Sequence, residues 1–306
     1  MYRKFFHLND KPFRLTPDTE FFFSDNSHKN ALDTLSFALR SSEGFVKIVG
    51  EVGTGKTLIC RKLLSSLGQG FNVVYIPNPY LSPEELRGFL AEELGADIAE
   101  ELPAHKQLME IYRALVHLAR DKKQVVLVVD EAQAMPRETL ESLRLLTNLE
   151  TEKRKLLQVV LLGQPELDSL LAREDLRQLR QRIVFSERLK PFSADRVAAY
   201  VRHRLAKAGA NRADLFTPAA LYLLYLGSGG TPRLINLMAH KSMLCAYGLG
   251  HYQVTTKHVA KAIIDSEESR FMGRVLSQRW RLLWPFLGAT AAFSALWLVQ
   301  FSGVLA

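Results

Sequence analysis

An eight-residue glycine-rich motif, Gly50-Glu51-Val52-Gly53-Thr54-Gly55-Lys56-Thr57, constrains the fold of this 306-residue chain more than any other feature. It matches G-x-x-x-x-G-K-[S/T], in which backbone N–H groups and the N-terminus of the next helix surround phosphate groups. An apolar run, Phe45–Val49, precedes the motif and a helical pattern follows it, as the motif requires. A chance match is the alternative, at roughly one chain of this length in a hundred. The motif predicts a nucleotide site in which Lys56 reaches the β- and γ-phosphates and Thr57 ligates Mg²⁺.

Short apolar runs alternate with longer helical patterns along the first 190 residues. This alternation is typical of a parallel sheet with crossover helices, and the runs are rich in Val, Ile and Leu, as strands covered on both faces are. The predicted strands are Phe45–Val49, Asn72–Ile76, Val125–Val129, Gln158–Leu162 and Ile183–Phe185. The predicted helices are Lys56–Leu67, Pro83–Leu94, Lys106–Arg120 and Arg137–Leu149. We expect an α/β nucleotide-binding domain with a five-stranded parallel sheet at residues 1–190.

After Lys190-Pro191 the strand-like runs cease and only helical patterns remain. Signals for helix N-termini stand at Ser193, Thr217-Pro218, Thr231-Pro232 and Thr255. They predict a small all-helical domain at residues 191–268, followed by a basic segment at 269–281 and an apolar helix at 282–305. The two cysteines, Cys60 and Cys245, are too few for a disulfide framework or a zinc site.

The predicted strand Val125–Val129 ends in an acidic pair, Asp130-Glu131. Ligands of open α/β sheets bind at the carboxyl ends of the strands, which places both carboxylates beside the phosphate loop. There Asp130 would hold Mg²⁺ through water and Glu131 would polarise the attacking water. The alternative is that the pair caps the next helix. The sequence contains no Asn-Lys-x-Asp motif for reading guanine, so we expect ATP.

The phosphate loop, the strand with its acidic pair and the helical second domain together resemble the AAA+ superfamily. In that superfamily an α/β nucleotide domain is followed by a helical lid. Residues 229–236, Gly-Gly-Thr-Pro-Arg-Leu-Ile-Asn, resemble the sensor-2 segment, whose arginine reaches the γ-phosphate. The resemblance implies this role for Arg233. The alternative is that Arg233 is a solvated residue of the first helical turn.

Two further AAA+ roles are implied by the same resemblance. The sensor-1 residue, usually Asn or Thr, corresponds here to Gln164, which could instead be a plain turn residue. AAA+ oligomers often present an arginine finger to the neighbouring subunit just before the last strand, which implies Arg182, with Arg180 as the second candidate. Such a cation stabilises charge on the transferred phosphoryl group. This role implies a homo-oligomer; the alternative is a solvated basic helix end.

Several longer motifs resemble the ExeA/GspA-type secretion ATPases across residues 1–270, and within that group the MSHA-pilus biogenesis branch. They are Phe6–Asp18, Tyr75–Pro79, Asp130–Gln133, Leu143–Glu150 and Gly163–Leu167, together with the phosphate loop. The resemblance implies ATP and Mg²⁺ as cofactors and pilus or secretion assembly proteins of the bacterial inner membrane as partners. By the same analogy Pro12-Phe13 and His28 would lie against the adenine, or else they pack in the core.

The residues from Leu282 to Ala306 include no charged side chain. A helix of about 20 residues crosses a hydrocarbon core of about 30 Å, so residues 282–305 are long enough to span a membrane. Trp280 and Trp284 stand at one end, next to Arg270, Arg274, Arg279 and Arg281, which predicts that this end is cytoplasmic. With no signal-peptide pattern at the start, we expect a single-pass inner-membrane protein with a cytoplasmic ATPase domain. The alternative is a buried C-terminal helix of the lid.

The net charge of +8 is concentrated between Arg177 and Lys207, where nine basic residues stand against two acidic ones. This cluster has three possible interpretations: it serves an intersubunit nucleotide site, it forms a solvated face, or it binds nucleic acid. Without a helix-turn-helix or zinc-finger motif, nucleic acid is not the expected partner. We therefore expect a membrane-anchored ATPase that supports assembly of a pilus or secretion apparatus. The alternatives are a DNA-associated AAA+ regulator and an ATP-sensing scaffold with little turnover.

Overall fold

The computed structural model describes residues 2–96, 102–151, 154–212 and 214–266. They form two compact units, Thr16–Pro191 and a second unit that joins residues 2–15 to those from Phe192 onward. In chain order the helices are α1 (Tyr2–Phe5), α2 (Asn26–Arg40), α3 (Lys56–Ser66), α4 (Pro83–Glu93), α5 (Ala104–Arg120), α6 (Arg137–Leu146), α7 (Glu166–Leu171), α8 (Arg177–Gln181), α9 (Ala194–Lys207), α10 (Pro218–Ser228), α11 (Pro232–Gly248) and α12 (Thr256–Ile264). The strands are β1 (Phe45–Gly50), β2 (Phe71–Ile76), β3 (Gln124–Val129), β4 (Glu150–Thr151), β5 (Arg154–Lys155), β6 (Leu157–Gly163) and β7 (Ile183–Leu189).

The α/β unit is built on a five-stranded parallel sheet in the order β2-β3-β6-β1-β7. The three central strands are buried along nearly their whole length, whereas the edge strands β2 and β7 are only partly covered. Parallel sheets are normally covered on both faces, and the continuous apolar runs of the central strands reflect that burial. The predicted five-stranded parallel sheet is confirmed.

Helices cover both faces of this sheet. On one face, Leu86 and Leu90 of α4, Ile111 of α5 and the buried leucines of α6 pack against strand residues such as Leu127. On the other face, Leu35 of α2 and Ile59 of α3 pack against alternate residues of the same strands. Because neighbouring strand residues point to opposite faces, each strand contributes to both cores. The two cores fix the carboxyl ends of the strands, from which the site residues extend.

The observed elements differ from the predicted ones at several boundaries. Strand β7 continues to Leu189, because its backbone pairs with β1 as far as Gly50, although the exposed residues of this extension, Ser186 and Arg188, are polar. Helix α6 ends at Leu146 rather than Leu149, since the chain then enters the hairpin of β4 and β5. The sequence pattern also did not predict this hairpin or the 15-residue helix α2.

The second unit is helical, and its helices begin at the predicted N-terminal signals. Thr217 accepts a hydrogen bond from the N–H of Ala220, and Thr255 forms a capping box with His258. Helix α10 ends at Ser228 and is capped by Gly229, and Gly230 follows with φ of 76°. A Cβ on Gly230 would lie 2.0 Å from the carbonyl oxygen of Phe192, so only glycine fits this close approach.

Residues 2–15 pack within the helical unit, although the sequence pattern placed them in the α/β domain of residues 1–190. The N–H of Asn9 donates to the carbonyl of Ala208 over 2.8 Å, and the buried Arg204 donates to the carbonyl of Pro12 over 2.5 Å. The ring of Phe13 is buried and packs edge-on against Phe216. Buried aromatic rings and paired backbone groups therefore bind this segment to the helices, and no local sequence signal encodes such long-range contacts.

None of the helices in the described ranges combines the length and the apolar character needed to cross a membrane. The predicted basic segment at 269–281 and the predicted membrane span at 282–305 lie outside those ranges, as do residues 267–268 of the predicted lid.

Candidate active site

The glycine-rich motif forms the loop between β1 and α3. Gly53 and Gly55 have φ of 78° and 101°, and a Cβ on Gly55 would lie 3.2 Å from the ring of His28. The buried Thr54 closes the loop, because its hydroxyl donates to the carbonyl of Glu51 over 2.7 Å. Glu51 and Val52 are exposed at the tip. The left-handed glycines permit this tight turn, which leads directly into the N-terminus of α3.

Lys56 lies at the centre of this loop. Its ammonium group donates to the carbonyl oxygens of Gly50, over 2.7 Å, and Glu51, over 3.2 Å. Burial lowers the pKa of Lys56, and the nearby carboxylates of Glu131 and Asp130 oppose that shift. A cation held by neutral carbonyls inside a glycine-rich loop is suited to binding phosphate oxygens.

Asp130 links the phosphate loop to the edge of the sheet. Its Oδ2 accepts hydrogen bonds from the hydroxyls of Thr57, over 2.7 Å, and Tyr75, over 3.0 Å, and its Oδ1 accepts from the N–H of Glu131 over 2.9 Å. Burial and the charge of Asp130 raise the pKa of Tyr75, so this phenol remains a proton donor. Tyr75 had no role in the sequence prediction, although its position at the end of β2 could have indicated one.

The oxygen atoms of Thr57 and Asp130 suit Mg²⁺, a hard cation that prefers such ligands. No group of three or more His, Cys, Asp or Glu side chains in the described part of the chain could hold a metal by itself. Mg²⁺ typically takes few protein ligands and completes its shell with water and substrate phosphates. The residues present therefore fit a nucleotide-bound Mg²⁺.

Glu131 follows Asp130 in a left-handed backbone conformation, with φ of 51°. Its Oε2 accepts hydrogen bonds from the side-chain amides of Gln133, over 2.6 Å, and Gln164, over 3.0 Å. Burial raises the pKa of Glu131, but the two amides and the charge of Lys56 outweigh it, and the net shift is downward. Glu131 caps no backbone N–H with its side chain, which argues against the helix-capping alternative.

The register of the sheet explains why these residues meet. Val49 of β1 lies beside Gly163 of β6, and Val129 of β3 lies beside Leu161. The loops that follow the three strands therefore start at one edge, and the structure brings Lys56, Asp130, Glu131 and Gln164 together there. The sequence pattern did not single out Gln133, although the motif Asp-Glu-Ala-Gln contains it.

His28 supports the loop from helix α2. Its buried ring lies with Nε2 2.9 Å from the carbonyl oxygen of Thr54, and burial lowers its pKa. A neutral imidazole with its proton on Nε2 donates this bond. Of the residues considered for adenine contact, His28 thus contacts the loop backbone, and Phe13 is buried in the helical unit.

The two finger candidates differ in their surroundings. Arg182 is half-buried and donates to the carbonyl of Arg144 and the hydroxyl of Thr147, over 3.1 and 3.2 Å, at the end of α6. Arg180 is exposed and has a 3.5 Å contact to the carbonyl of Ala172. Arg233 lies exposed in the first turn of α11, in the helical unit. The roles of all three toward a nucleotide stay predictions.

The basic cluster between Arg177 and Lys207 is divided between the two units at Pro191. Arg188 forms an ion pair with Asp168, which also pairs with Lys47 over 2.5 Å. Arg204 is buried, where it also donates to the hydroxyl of Tyr200 over 2.8 Å. These residues are therefore partly committed to internal contacts, so the cluster is not one free cationic face.

Comparisons with known proteins agree with this geometry. Residues 39–171 match the family model of the AAA domain. General secretion pathway protein A of Aeromonas hydrophila is 40% identical over 305 residues, which cover 99% of this chain and 55% of the relative. The chain thus spans about half the length of this curated relative.

Solved structures share the fold. The Aeropyrum pernix ORC1 protein, solved in complex with DNA, has a TM-score of 0.61 at 19% identity and covers 83% of this chain and 69% of its own. A Walker-type ATPase of Pyrococcus abyssi has a TM-score of 0.59 at 16% identity, with coverage of 88% and 80%. The RuvB Holliday junction branch migration motor of Thermotoga maritima has a TM-score of 0.54 at 17% identity, with coverage of 82% and 72%. At these identities the likeness concerns the fold alone.

Proposed function

We propose that this chain, an AAA+ protein of the ExeA/GspA type, binds ATP with Mg²⁺ and hydrolyses it to ADP and phosphate. The observation that carries the proposal is the contact between Thr57 and Asp130, flanked by Lys56 and Glu131 at one edge of the sheet. Each role that phosphoryl transfer to water requires has a side chain of suitable chemistry there.

In the proposed reaction, the loop N–H groups and Lys56 bind the phosphates, while Thr57 and Asp130 hold Mg²⁺. The metal, when bound, neutralises charge on the phosphate oxygens. Glu131 accepts a proton from the attacking water as the new P–O bond forms in line with the bond to ADP that breaks. Gln164 holds the carboxylate of Glu131, to which it donates over 3.0 Å.

Two arginines complete the proposed site. Arg233 would contact the γ-phosphate from the helical unit, and Arg182 would act on the site of a neighbouring subunit in a homo-oligomer. Cationic groups in these positions stabilise the charge that develops during transfer. Arg182 is the first candidate for the finger, and Arg180 is the second.

Two substitutions that differ in their expected effect on ATP binding test the hydrolysis proposal. Lys56→Ala should abolish both ATP binding and turnover, because it removes the loop cation. Glu131→Gln should keep ATP binding and lose turnover, because the amide cannot accept the proton. Binding of a fluorescent ATP analogue and release of phosphate are the two measurements. Unchanged hydrolysis by Glu131→Gln would contradict the general-base role, and ATP binding without turnover by the unmodified chain would favour the sensing scaffold.

We further propose that the ATPase supports assembly of a type IV pilus of the MSHA kind, as MshM-type proteins do, or of a secretion apparatus. Its location would be the bacterial inner membrane, with one membrane span at residues 282–305 and the ATPase domain in the cytoplasm. The uncharged sequence from Leu282 and the four preceding arginines support this topology. Fractionation of the full chain tests it: recovery in the soluble fraction, without cleavage of the tail, would contradict the anchor.

The partner is best sought with a trapped state. Glu131→Gln protein, solubilised from membranes with ATP, should retain the assembly proteins that it contacts, and Lys56→Ala protein serves as the control without nucleotide. A DNA-associated role has less support, because the basic residues Arg188 and Arg204 are engaged in internal contacts. Tight DNA binding that falls steeply with salt would restore that alternative.

A further inference from the structure

Gln133 lies in a short 3₁₀ turn, Ala132–Ala134, immediately after the acidic pair. Because Glu131 has a left-handed backbone and the N–H of Ala134 donates to its carbonyl over 2.8 Å, the chain folds back on itself at this point. The turn brings the side chain of Gln133 next to that of Glu131, two residues earlier. Their amide nitrogen and carboxylate oxygen lie 2.6 Å apart.

The same amide group also reaches the loop after β6. Oε1 of Gln133 accepts a hydrogen bond from the backbone N–H of Gln164 over 3.0 Å. A backbone N–H can only donate, so the amide oxygen must face Gln164 and the amide nitrogen must face Glu131. The orientation of the Gln133 amide is therefore determined by its two partners.

Gln164 closes this arrangement, because its own side-chain amide donates to the same Oε2 of Glu131 over 3.0 Å. Gly163, the residue before Gln164, has no side chain to crowd the Gln133 amide. A Cβ at position 163 would lie 3.2 Å from Oε1 of Gln133 and 2.7 Å from the side chain of Leu167. Oε1 of Glu131 has no hydrogen-bond partner within the described ranges. One carboxylate oxygen is thus held twice, and the other is left to accept a proton.

We infer that Gln133 is a positioning residue for Glu131, an inference that rests on the ATPase activity proposed above. Gln133 fixes Oε2 of the carboxylate and ties it to the backbone of the loop that follows β6, so that Oε1 faces the attacking water. A bound and oriented base reacts faster than a rotating one, because its geometry is set before the reaction. A residue that acts in this way affects turnover and leaves nucleotide affinity unchanged.

Full-length chains carrying Gln133→Ala and Gln133→Glu test the inference, with Gln69→Ala, an exposed loop glutamine, as the matched control. The Gln133→Glu side chain has nearly the same size but sets a second carboxylate against Glu131. Both variants should lower kcat by about 10- to 100-fold, which is less than the roughly 10²- to 10⁴-fold that a general base itself contributes, and change KM and ATP-analogue affinity by less than about twofold. The Gln69→Ala protein should match the unmodified chain.

A second comparison separates positioning from a general structural effect. In single-turnover assays on a Glu131→Ala background, adding Gln133→Ala should cost less than about twofold, because there is no carboxylate left to position. A further loss as large as that in the unmodified background would overturn the inference, as would a kcat of Gln133→Ala within twofold of normal. If Glu131→Ala itself keeps full activity, the proposed base is wrong, and the inference falls with it for that separate reason.

Discussion

The hydroxyl of Thr57 donates a hydrogen bond to Oδ2 of Asp130 over 2.7 Å, which joins the phosphate loop to the end of β3 across 73 positions of the sequence. The same oxygen accepts from the phenol of Tyr75, at the end of β2. Three segments of the α/β unit therefore meet at one carboxylate oxygen. The orientation of this carboxylate therefore depends on all three.

Tyr75→Phe should weaken the response to Mg²⁺. Loss of the phenol removes one of the two hydroxyl donors that orient Asp130, and loss of such an outer partner typically costs about tenfold in metal affinity. The Mg²⁺ concentration for half-maximal ATP-analogue binding should rise accordingly. Tyr80→Phe is the control, because Tyr80 is 77% exposed. An unchanged Mg²⁺ titration would show that Tyr75 does not position Asp130.

Arg182→Ala should lower ATP hydrolysis by at least about 100-fold if Arg182 completes a neighbouring site. Mixing Arg182→Ala subunits with Lys56→Ala subunits should then restore part of the activity. At a mixed interface, Arg182 of the Lys56→Ala subunit would meet the intact phosphate loop of the Arg182→Ala subunit. Arg180→Ala is the matched comparison, since Arg180 is exposed and is the second candidate. Failure to recover at any mixing ratio would argue against action in trans.

The same substitution needs a stability control. Arg182 donates to the end of helix α6, so Arg182→Ala also leaves the carbonyl of Arg144 and the hydroxyl of Thr147 without this partner. Thermal unfolding of each variant alone distinguishes a lost catalytic group from a weakened α6. Mixing with Lys56→Ala subunits would restore activity only if Arg182→Ala had lost a catalytic group and not if it had weakened α6.

Stability of the helical unit should fall as the pH is lowered below about 6.5, the usual pKa of histidine. Burial and the neighbouring His251, Lys261 and Lys257 lower the pKa of His258, so the unfolded chain takes up a proton before the folded chain does. Nδ1 of His258 accepts from the N–H of Thr255 over 2.9 Å, and a proton there would break this cap. The stabilisation is therefore present above pH 6.5 and is lost as the pH falls toward the folded pKa.

His258→Gln should reduce this pH dependence, because glutamine keeps an acceptor at the third helical position but does not titrate. Urea unfolding between pH 7.5 and 5.5 measures the slope. His105→Gln, at an exposed position, should leave the slope unchanged. If the free energy of unfolding depends on pH equally in the His258→Gln protein and the unmodified chain, then other groups, such as the buried His28, cause the acid sensitivity.

Gly230→Ala should destabilise the helical unit by about 3 kcal/mol or more, since it forces a side chain into a left-handed conformation and against the backbone. The Cβ would lie 2.0 Å from the carbonyl oxygen of Phe192. Gly248→Ala is the control, because a Cβ there meets nothing within 4 Å. Denaturant midpoints give the comparison, and similar midpoints for the two variants would contradict the close approach.

Local patterns were enough to predict much of the α/β unit. The spacing of glycines between an apolar strand and a helix predicted the phosphate loop, and a buried strand ending in two acids predicted the position of Asp130 and Glu131. Each of these signals is contained within a few consecutive residues, so local chain geometry is enough to produce it. The antiparallel pairing of β4 with β5 was not predicted, because two short polar strands have no apolar periodicity.

The sequence by itself determined the order of the elements, the phosphate loop and the acidic pair, because backbone preferences and apolar periodicity are properties of short segments. Only the tertiary structure decided which side chains surround that pair. Tyr75, Gln133 and the supporting His28 contact the site through strand register and side-chain packing. It also decided that residues 2–15 pack with helices nearly 200 positions away. Such contacts depend on which surfaces the folded chain brings together, and that information is spread over the whole sequence.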